Sequence, residues 1–143
     1  MPRYRATLET TRRLERVFTY LSNLSNSPEW NPGVIEASGG NDGALGCGST
    51  FELKSAVLGR RTRFLYQIIA FDPPRSVTLR GDSALAVAIE QIDLAPTRTG
   101  CRITYDADLK PKGALMMLEP LLARRFKAQF DRAIAGLKET LAD

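Results

Sequence analysis

The chain has 143 residues, 43% of them hydrophobic, with 20 Lys and Arg against 16 Asp and Glu and a net charge of +4. It carries two Cys, one Trp and no His, which excludes Ser-His-Asp triads, Cys-His pairs, imidazole proton shuttles and His-ligated metals. Two Cys cannot complete a thiolate zinc site, so no metal or cofactor is expected.

Any catalysis would fall to carboxylates, Tyr, Lys, Arg, Ser, Thr or Cys. The length suits a single domain over residues 1–143, able to bury roughly 70% of its unfolded surface without disulfides or metals. Arg supplies 15 of the 20 basic residues. Pairs stand at Arg12-Arg13, Arg60-Arg61 and Arg124-Arg125, but nowhere is there the run of about five or six like charges that marks a nucleic-acid tail. No nucleic-acid partner is expected. The opening Met1-Pro2-Arg3-Tyr4-Arg5 lacks the apolar core of a secretory signal, and no apolar stretch nears the roughly 18 residues of a membrane span. The expectation is a cytoplasmic chain with no transmembrane segment. Cys47 and Cys101 are then reduced, each a small core residue.

Residues 3–9 alternate, with Tyr4, Ala6 and Leu8 on one side and Arg3, Arg5, Thr7 and Glu9 on the other, the pattern of a half-buried strand. Thr10 or Thr11 offers a hydroxyl cap to a short helix whose buried stripe is Leu14, Val17, Phe18 and Leu21. Between Ser22 and Gly33, Pro28 and Pro32 rule out a long helix; one further helical turn fits before Pro28. From Val34 to about Lys110 strand follows strand. Turns fall at Gly39–Gly43, Leu58–Arg60, Asp72–Pro74, Gly81–Ser83 and Pro96–Gly100. Short turns between strands argue an antiparallel meander.

One strand breaks phase. Leu85, Val87 and Ile89 share one parity, and Ala86, Ala88, Glu90, Ile92 and Leu94 the other. The slip near Glu90-Gln91 implies a β-bulge or a strand covered on both faces. The C-terminal segment then recurs every three or four residues through Leu115, Leu118, Leu122, Phe126, Phe130, Ile134, Leu137 and Leu141, a helix of about seven turns that Pro120 kinks or divides.

This order predicts an α+β fold. A curved antiparallel sheet of about seven strands must bury its inner face against the one long helix, and such a grip leaves room between the layers. Several segments carry a resemblance: Pro28-Glu29-Trp30-Asn31-Pro32-Gly33-Val34, Gly46-Cys47-Gly48-Ser49-Thr50-Phe51, Phe71-Asp72-Pro73-Pro74-Arg75-Ser76-Val77-Thr78-Leu79 and Gly100-Cys101-Arg102-Ile103-Thr104-Tyr105. Together with the closing helix they resemble the START-like (SRPBCC) superfamily, most of all its short polyketide cyclase/dehydrase and lipid-transport group. The resemblance spans nearly the whole chain. It implies the helix-grip fold, two short helices after the first strand, and an internal cavity for a small hydrophobic ligand such as a lipid, isoprenoid or polyketide. Its motifs mark turns and strand starts, so it implies no particular reaction.

Strand parity aims Phe51, Leu53, Phe64, Tyr66, Ile68, Val77, Leu79, Ile103 and Tyr105 inward, with Met117, Leu118 and Leu121 opposite them on the helix. The resemblance puts Trp30 where the small helices close one end of the cavity, to pack structurally or to line the pocket, and Ala86 and Ala88, if inward, leave space. Buried Tyr needs a polar partner, so Tyr66 and Tyr105 are the candidate handles for a ligand. Glu90 is the one carboxylate that alternation aims inward from mid-strand, and the only candidate acid or base of an enzyme. A bulge at the phase slip would instead expose it, and the slip weighs toward the bulge. Asp106, Asp108 and Arg80 read as solvated. Two functions stay open: a carrier or sequestering protein for an apolar small molecule, or a polyketide aromatase/cyclase or dehydratase using Glu90 with a Tyr. A third, an interaction module using the basic helix, lacks a recognisable motif. A homodimer is compatible with all three.

Overall fold

The computed structural model describes residues 3–40, 44–57 and 59–142. The elements run β1 (Arg3–Thr10), α1 (Leu14–Ser22), a 3₁₀ turn (Leu24–Asn26), α2 (Ser27–Trp30), then six strands. These are β2 (Val34–Gly39), β3 (Thr50–Val57), β4 (Arg60–Asp72), β5 (Ser76–Asp82), β6 (Ala86–Pro96) and β7 (Cys101–Pro111). A second 3₁₀ segment (Gly113–Leu118) leads into α3 (Glu119–Leu141). Of the expected turns, Asn41, Asp42, Gly43 and Leu58 lie outside the described residues.

The seven strands form one antiparallel sheet in the order β1-β7-β6-β5-β4-β3-β2. Consecutive strands from β2 to β7 are neighbours, the expected meander. β1 crosses to pair with β7, from Arg3 opposite Asp108 to Thr10 opposite Cys101. The sheet curls around α3, which is the helix-grip architecture. Hydrogen bonds tie both ends of α3 to β1. The Tyr4 hydroxyl donates to the Ala123 carbonyl at 3.1 Å, and the Thr10 hydroxyl to the Leu141 carbonyl at 3.0 Å.

Several local expectations are corrected. Thr10 and Thr11 do not cap α1: its N-cap is Arg13, with no side-chain hydrogen bond, and the Thr10 hydroxyl serves α3 instead. The helical turn expected before Pro28 is the 3₁₀ turn Leu24–Asn26, and Pro28 itself stands in the first turn of α2, where its missing N–H costs nothing. Pro120 divides the C-terminal segment rather than kinking it: the 3₁₀ stretch Gly113–Leu118 ends just before it, and Pro120 stands in the first turn of α3. The shift from 3₁₀ to α geometry at that point moves the buried face of the helix. Its inner stripe is Leu122, Phe126, Ala133, Ile134, Leu137 and Leu141, while Leu118, Leu121 and Met117 face away from the sheet.

No bulge interrupts β6. It pairs with β7 in unbroken register from Ala86 opposite Pro111 to Pro96 opposite Cys101, and with β5 from Asp82–Val87 to Ser76–Asp93. The sheet's register shifts lie elsewhere, between Val34 and Glu36 and between Ile68 and Ala70. Val87 and Ile89, which produce the apparent slip, sit half-buried on the outer face. Ala86, Ala88, Glu90, Ile92 and Leu94 therefore all share the inner face.

The core is tightest where α1 and the C-terminal half of α3 meet the sheet. Val17 and Leu21 are buried there, and Phe18 packs its ring 5.5 Å from that of Phe71. Phe51, Ile68, Val77, Leu79, Ile92, Ile103 and Leu137 are buried to 2% exposure or less. Cys101 belongs to this core, and burial pushes its thiol above the ordinary value, with Glu15 adding to the effect. Cys47 does not: it is exposed, in the irregular segment before β3. Asp106 is also not solvated. Arg5 lies across it on the outer face, with Nε 2.7 Å from its carboxylate, so the pair is shielded on one side by the guanidinium. Asp108 is half-buried, and Arg80 is exposed as expected.

Candidate functional site

Toward the other end of α3 the two layers separate around a cavity of about 140 Å³. Side-chain size explains where it lies. On the inner face of β6 and β7, Ala86, Ala88 and Ala107 stand where bulkier residues stand further along the same strands. Small side chains leave volume that their neighbours on close-packed strands cannot move in to fill.

The walls are mostly apolar and aromatic. Leu53 and Val57 come from β3, Phe64 and Tyr66 from β4, and Phe126, Phe130, Ala133 and Ile134 from α3. Trp30, at the end of α2, closes one side. Its ring meets Tyr105 edge-on at 6.0 Å, Tyr105 meets Phe130 at 6.0 Å, and Phe130 stacks on Tyr4 at 5.7 Å. This run of rings links α2, β7, α3 and β1 into one wall. Across from it, Phe64 and Tyr66 lie 5.9 Å apart.

Two glycines allow this packing. A Cβ on Gly81 would fall 2.5 Å from the Tyr66 ring, so the phenol lies directly over the backbone of its β5 partner. A Cβ on Gly136 would fall 2.0 Å from the Trp30 carbonyl oxygen, so α2 can seat Trp30 only because α3 has no side chain there.

One charged group faces the cavity from mid-strand. Glu90 is half-buried on the inner face of β6, between Leu79 on β5 and Ala107 on β7. The Tyr105 hydroxyl donates to Glu90 Oε1. The Tyr66 hydroxyl interacts with the same carboxylate. Both phenols are held well above their ordinary value of 10, first by burial and then by the Glu90 charge and hydrogen bond. They remain O–H donors at neutral pH. Asp108 borders the cavity from the position after Ala107, opposite Ile89 of the outer face, and its Oδ1 is buried without a hydrogen-bond partner among the described residues. Asn31, Ser27, Ser55 and Gln129 supply further neutral polar groups. Among the described residues no three His, Cys, Asp or Glu side chains converge as metal ligands.

The structure thus brings Trp30, Leu53, Phe64, Tyr66, Glu90 and Tyr105 to one cavity. Phe51, Ile68, Val77, Leu79 and Ile103 point inward as expected but pack in the solid part of the core and do not line it. Met117, Leu118 and Leu121 are exposed, at 86%, 45% and 74%, because α3 begins only at Glu119 and presents a different face to the sheet. Sequence reasoning missed the wall formed by Tyr4, Phe126 and Phe130. Its signal was present: Phe126, Phe130 and Ile134 recur at one helical spacing, and Tyr4 shares parity with Leu8.

No helix is long and apolar enough to cross a membrane among the described residues. The sequence finds no significant match among curated proteins. Solved structures do share the fold. A protein from Thermus thermophilus superimposes with a TM-score of 0.79 at 14% identity, over 98% of this chain and 97% of that one. A START superfamily protein from Mycobacterium smegmatis gives 0.73 at 18%, over 97% and 98%. The ZhuI aromatase/cyclase from a Streptomyces species gives 0.72 at 12%, over 96% and 93%. At such identities the likeness concerns the fold alone. The sequence itself goes further, because residues 1–142 match the family described as polyketide cyclase / dehydrase and lipid transport. With its grip on one long helix and a cavity beneath that helix, the chain belongs to this family.

Proposed function

We propose that the protein binds a small, largely apolar molecule in the cavity between β6, β7 and α3, as a carrier or sequestering protein. The observation that carries this reading is the Glu90 carboxylate, set with two phenols in a mostly apolar chamber. Affinity comes from burying apolar surface against the rings, and orientation from the polar cluster. The volume of about 140 Å³ is close to that of an engineered cavity that holds benzene. As it stands, the chamber takes a one-ring molecule or the end of a longer chain. Native mass spectrometry of the purified protein is expected to show a bound apolar species, or a lipophilic probe to bind and be displaced. Protein that carries no such species and takes up no probe would overturn the reading.

The same cluster favours a second reading, an aromatase/cyclase or dehydratase acting on a polyketide-like chain. Glu90 would accept a proton from an activated substrate carbon while a neighbouring phenol donates to the carbonyl oxygen. Support comes from their contact in the cavity and from the fold shared with an aromatase/cyclase. Glu90→Gln is expected to lose most of such turnover; full retention removes this mechanism.

A further inference from the structure

Glu90 presents a charge to the cavity, and the described residues supply no cation to meet it. None of the described Lys or Arg lines the chamber, and the chain has no His. Basic side chains near the chamber's strands pair with other carboxylates, such as Asp106 for Arg5 and Asp82 for Lys112. The hydroxyls that approach Glu90 are neutral donors. An ionised carboxylate offers about four acceptor positions, so the phenols leave some of them open toward the cavity.

The rest of the wall suits a positive charge too. Aromatic rings attract cations to their faces, and Trp30, Tyr66, Tyr105, Phe64 and Phe130 surround the chamber. A neutral hydrocarbon entering here would displace water from Glu90 and leave its open acceptors unpaired, which is costly for a charged group. An anion would meet like charge at close range in a poorly screened interior. A cation relieves both problems.

From this juxtaposition we infer that the cavity selects a small organic ammonium ion over a neutral molecule of the same shape. The inference rests on the reading of the cavity as a ligand site and adds the class of ligand. The ammonium group sits against Glu90 and the ring faces, and the alkyl or aryl remainder fills the space left by Ala86, Ala88 and Ala107. The volume of about 140 Å³ limits the ion to roughly the size of benzene, a handful of heavy atoms.

The test uses two isosteric pairs at fixed ionic strength and neutral pH: choline against 3,3-dimethylbutan-1-ol, and benzylammonium against benzyl alcohol. Trp30 is the chain's single Trp and lies in the cavity wall, so its emission reports occupancy. Calorimetry supplies an independent readout. The expected result is at least about tenfold tighter binding of the cation in one pair or both. Glu90→Gln, which keeps the side-chain shape, is expected to reduce that preference to within about threefold. The comparison within each pair on the unaltered protein stands even if the variant fails to fold. Neutral members binding as tightly as the cations, or more tightly, overturn the inference and leave the cavity reading intact. No binding of any member, charged or neutral, overturns the inference and the cavity reading together.

Discussion

Along β6 the inward side chains are Leu94 and Ile92 toward one end and Ala88 and Ala86 toward the other, with Glu90 between them. β7 repeats the change, from Ile103 to Ala107. The first end meets Leu8, Val77 and Leu137 and is solid; the second meets Phe126 and Phe130 and is hollow. The same strands and the same helix build both. What differs is side-chain volume at a few positions, and Glu90 with its phenols sits at the boundary. The solid end supplies the stability that lets the hollow end forgo close packing. A cavity left by small residues costs stability roughly in proportion to its volume, so a small domain can hold one only where the remaining core is dense.

The largest expected effect tests the solid end. Leu137→Ala should cost about 2–5 kcal/mol in denaturant unfolding, because Leu137 is fully buried and its neighbours cannot collapse into the gap. A cost below about 1 kcal/mol would mean that this end is not close-packed.

Alkali tests the boundary. Tyr66 and Tyr105 have pKa values raised above 10 in the folded state, so the unfolded chain loses these protons first. Stability from these groups is complete well below pH 10 and falls as pH rises through it, by up to about 1.4 kcal/mol per pH unit for each phenol. Urea unfolding between pH 9 and 11 measures the slope, expected to be shallower in Tyr105→Phe. An unchanged slope would separate Tyr105 from the effect.

Gly81→Ala addresses the same boundary by sterics. The new methyl would meet the Tyr66 ring at 2.5 Å and must displace it, at about 1–3 kcal/mol, and Tyr66 loses its contact with Glu90. A crystal structure of the variant with Tyr66 unmoved would contradict this packing.

Filling the hollow end should be mild by comparison. Ala88→Leu is expected to change stability by less than about 1 kcal/mol while abolishing uptake of an apolar probe, because the added atoms enter empty space. A penalty typical of overpacking, about 1–3 kcal/mol, would show that the end is not hollow. Smallest of all, Met117→Ser should stay within about 0.5 kcal/mol and leave probe uptake unchanged, since Met117 is 86% exposed.

Much of the fold was legible in the sequence. Strand parity correctly faced Tyr4, Leu53, Tyr66 and Tyr105 inward, and the turn residues spaced the meander. The solid and hollow ends were harder to tell apart, because Phe51 and Phe64 share residue type and an inward aim. Their strand partners do not separate them either. Phe51 lies opposite Tyr66 and Phe64 opposite Leu53, and both partners line the cavity, yet only Phe64 joins them there while Phe51 packs in the core. Asp106 was misread for a similar reason: an outward parity does not reveal that Arg5 on the paired strand will lie over it.

The residues by themselves determined the order of elements, the inward parity of the strands, the want of any imidazole and the amphipathic stripe of the last helix. These depend on local periodicity and composition, which a chain displays without folding. Tertiary structure decided which side Glu90 takes and where α3 begins. A strand with apolar residues on both faces does not declare its inner side, and only unbroken pairing with β5 and β7 turns Glu90 toward the cavity. A proline early in an amphipathic segment can end a helix or start one. Packing against the sheet starts the helix at Glu119, leaving Met117, Leu118 and Leu121 outside and setting Phe126 and Phe130 across from Glu90 and Tyr105.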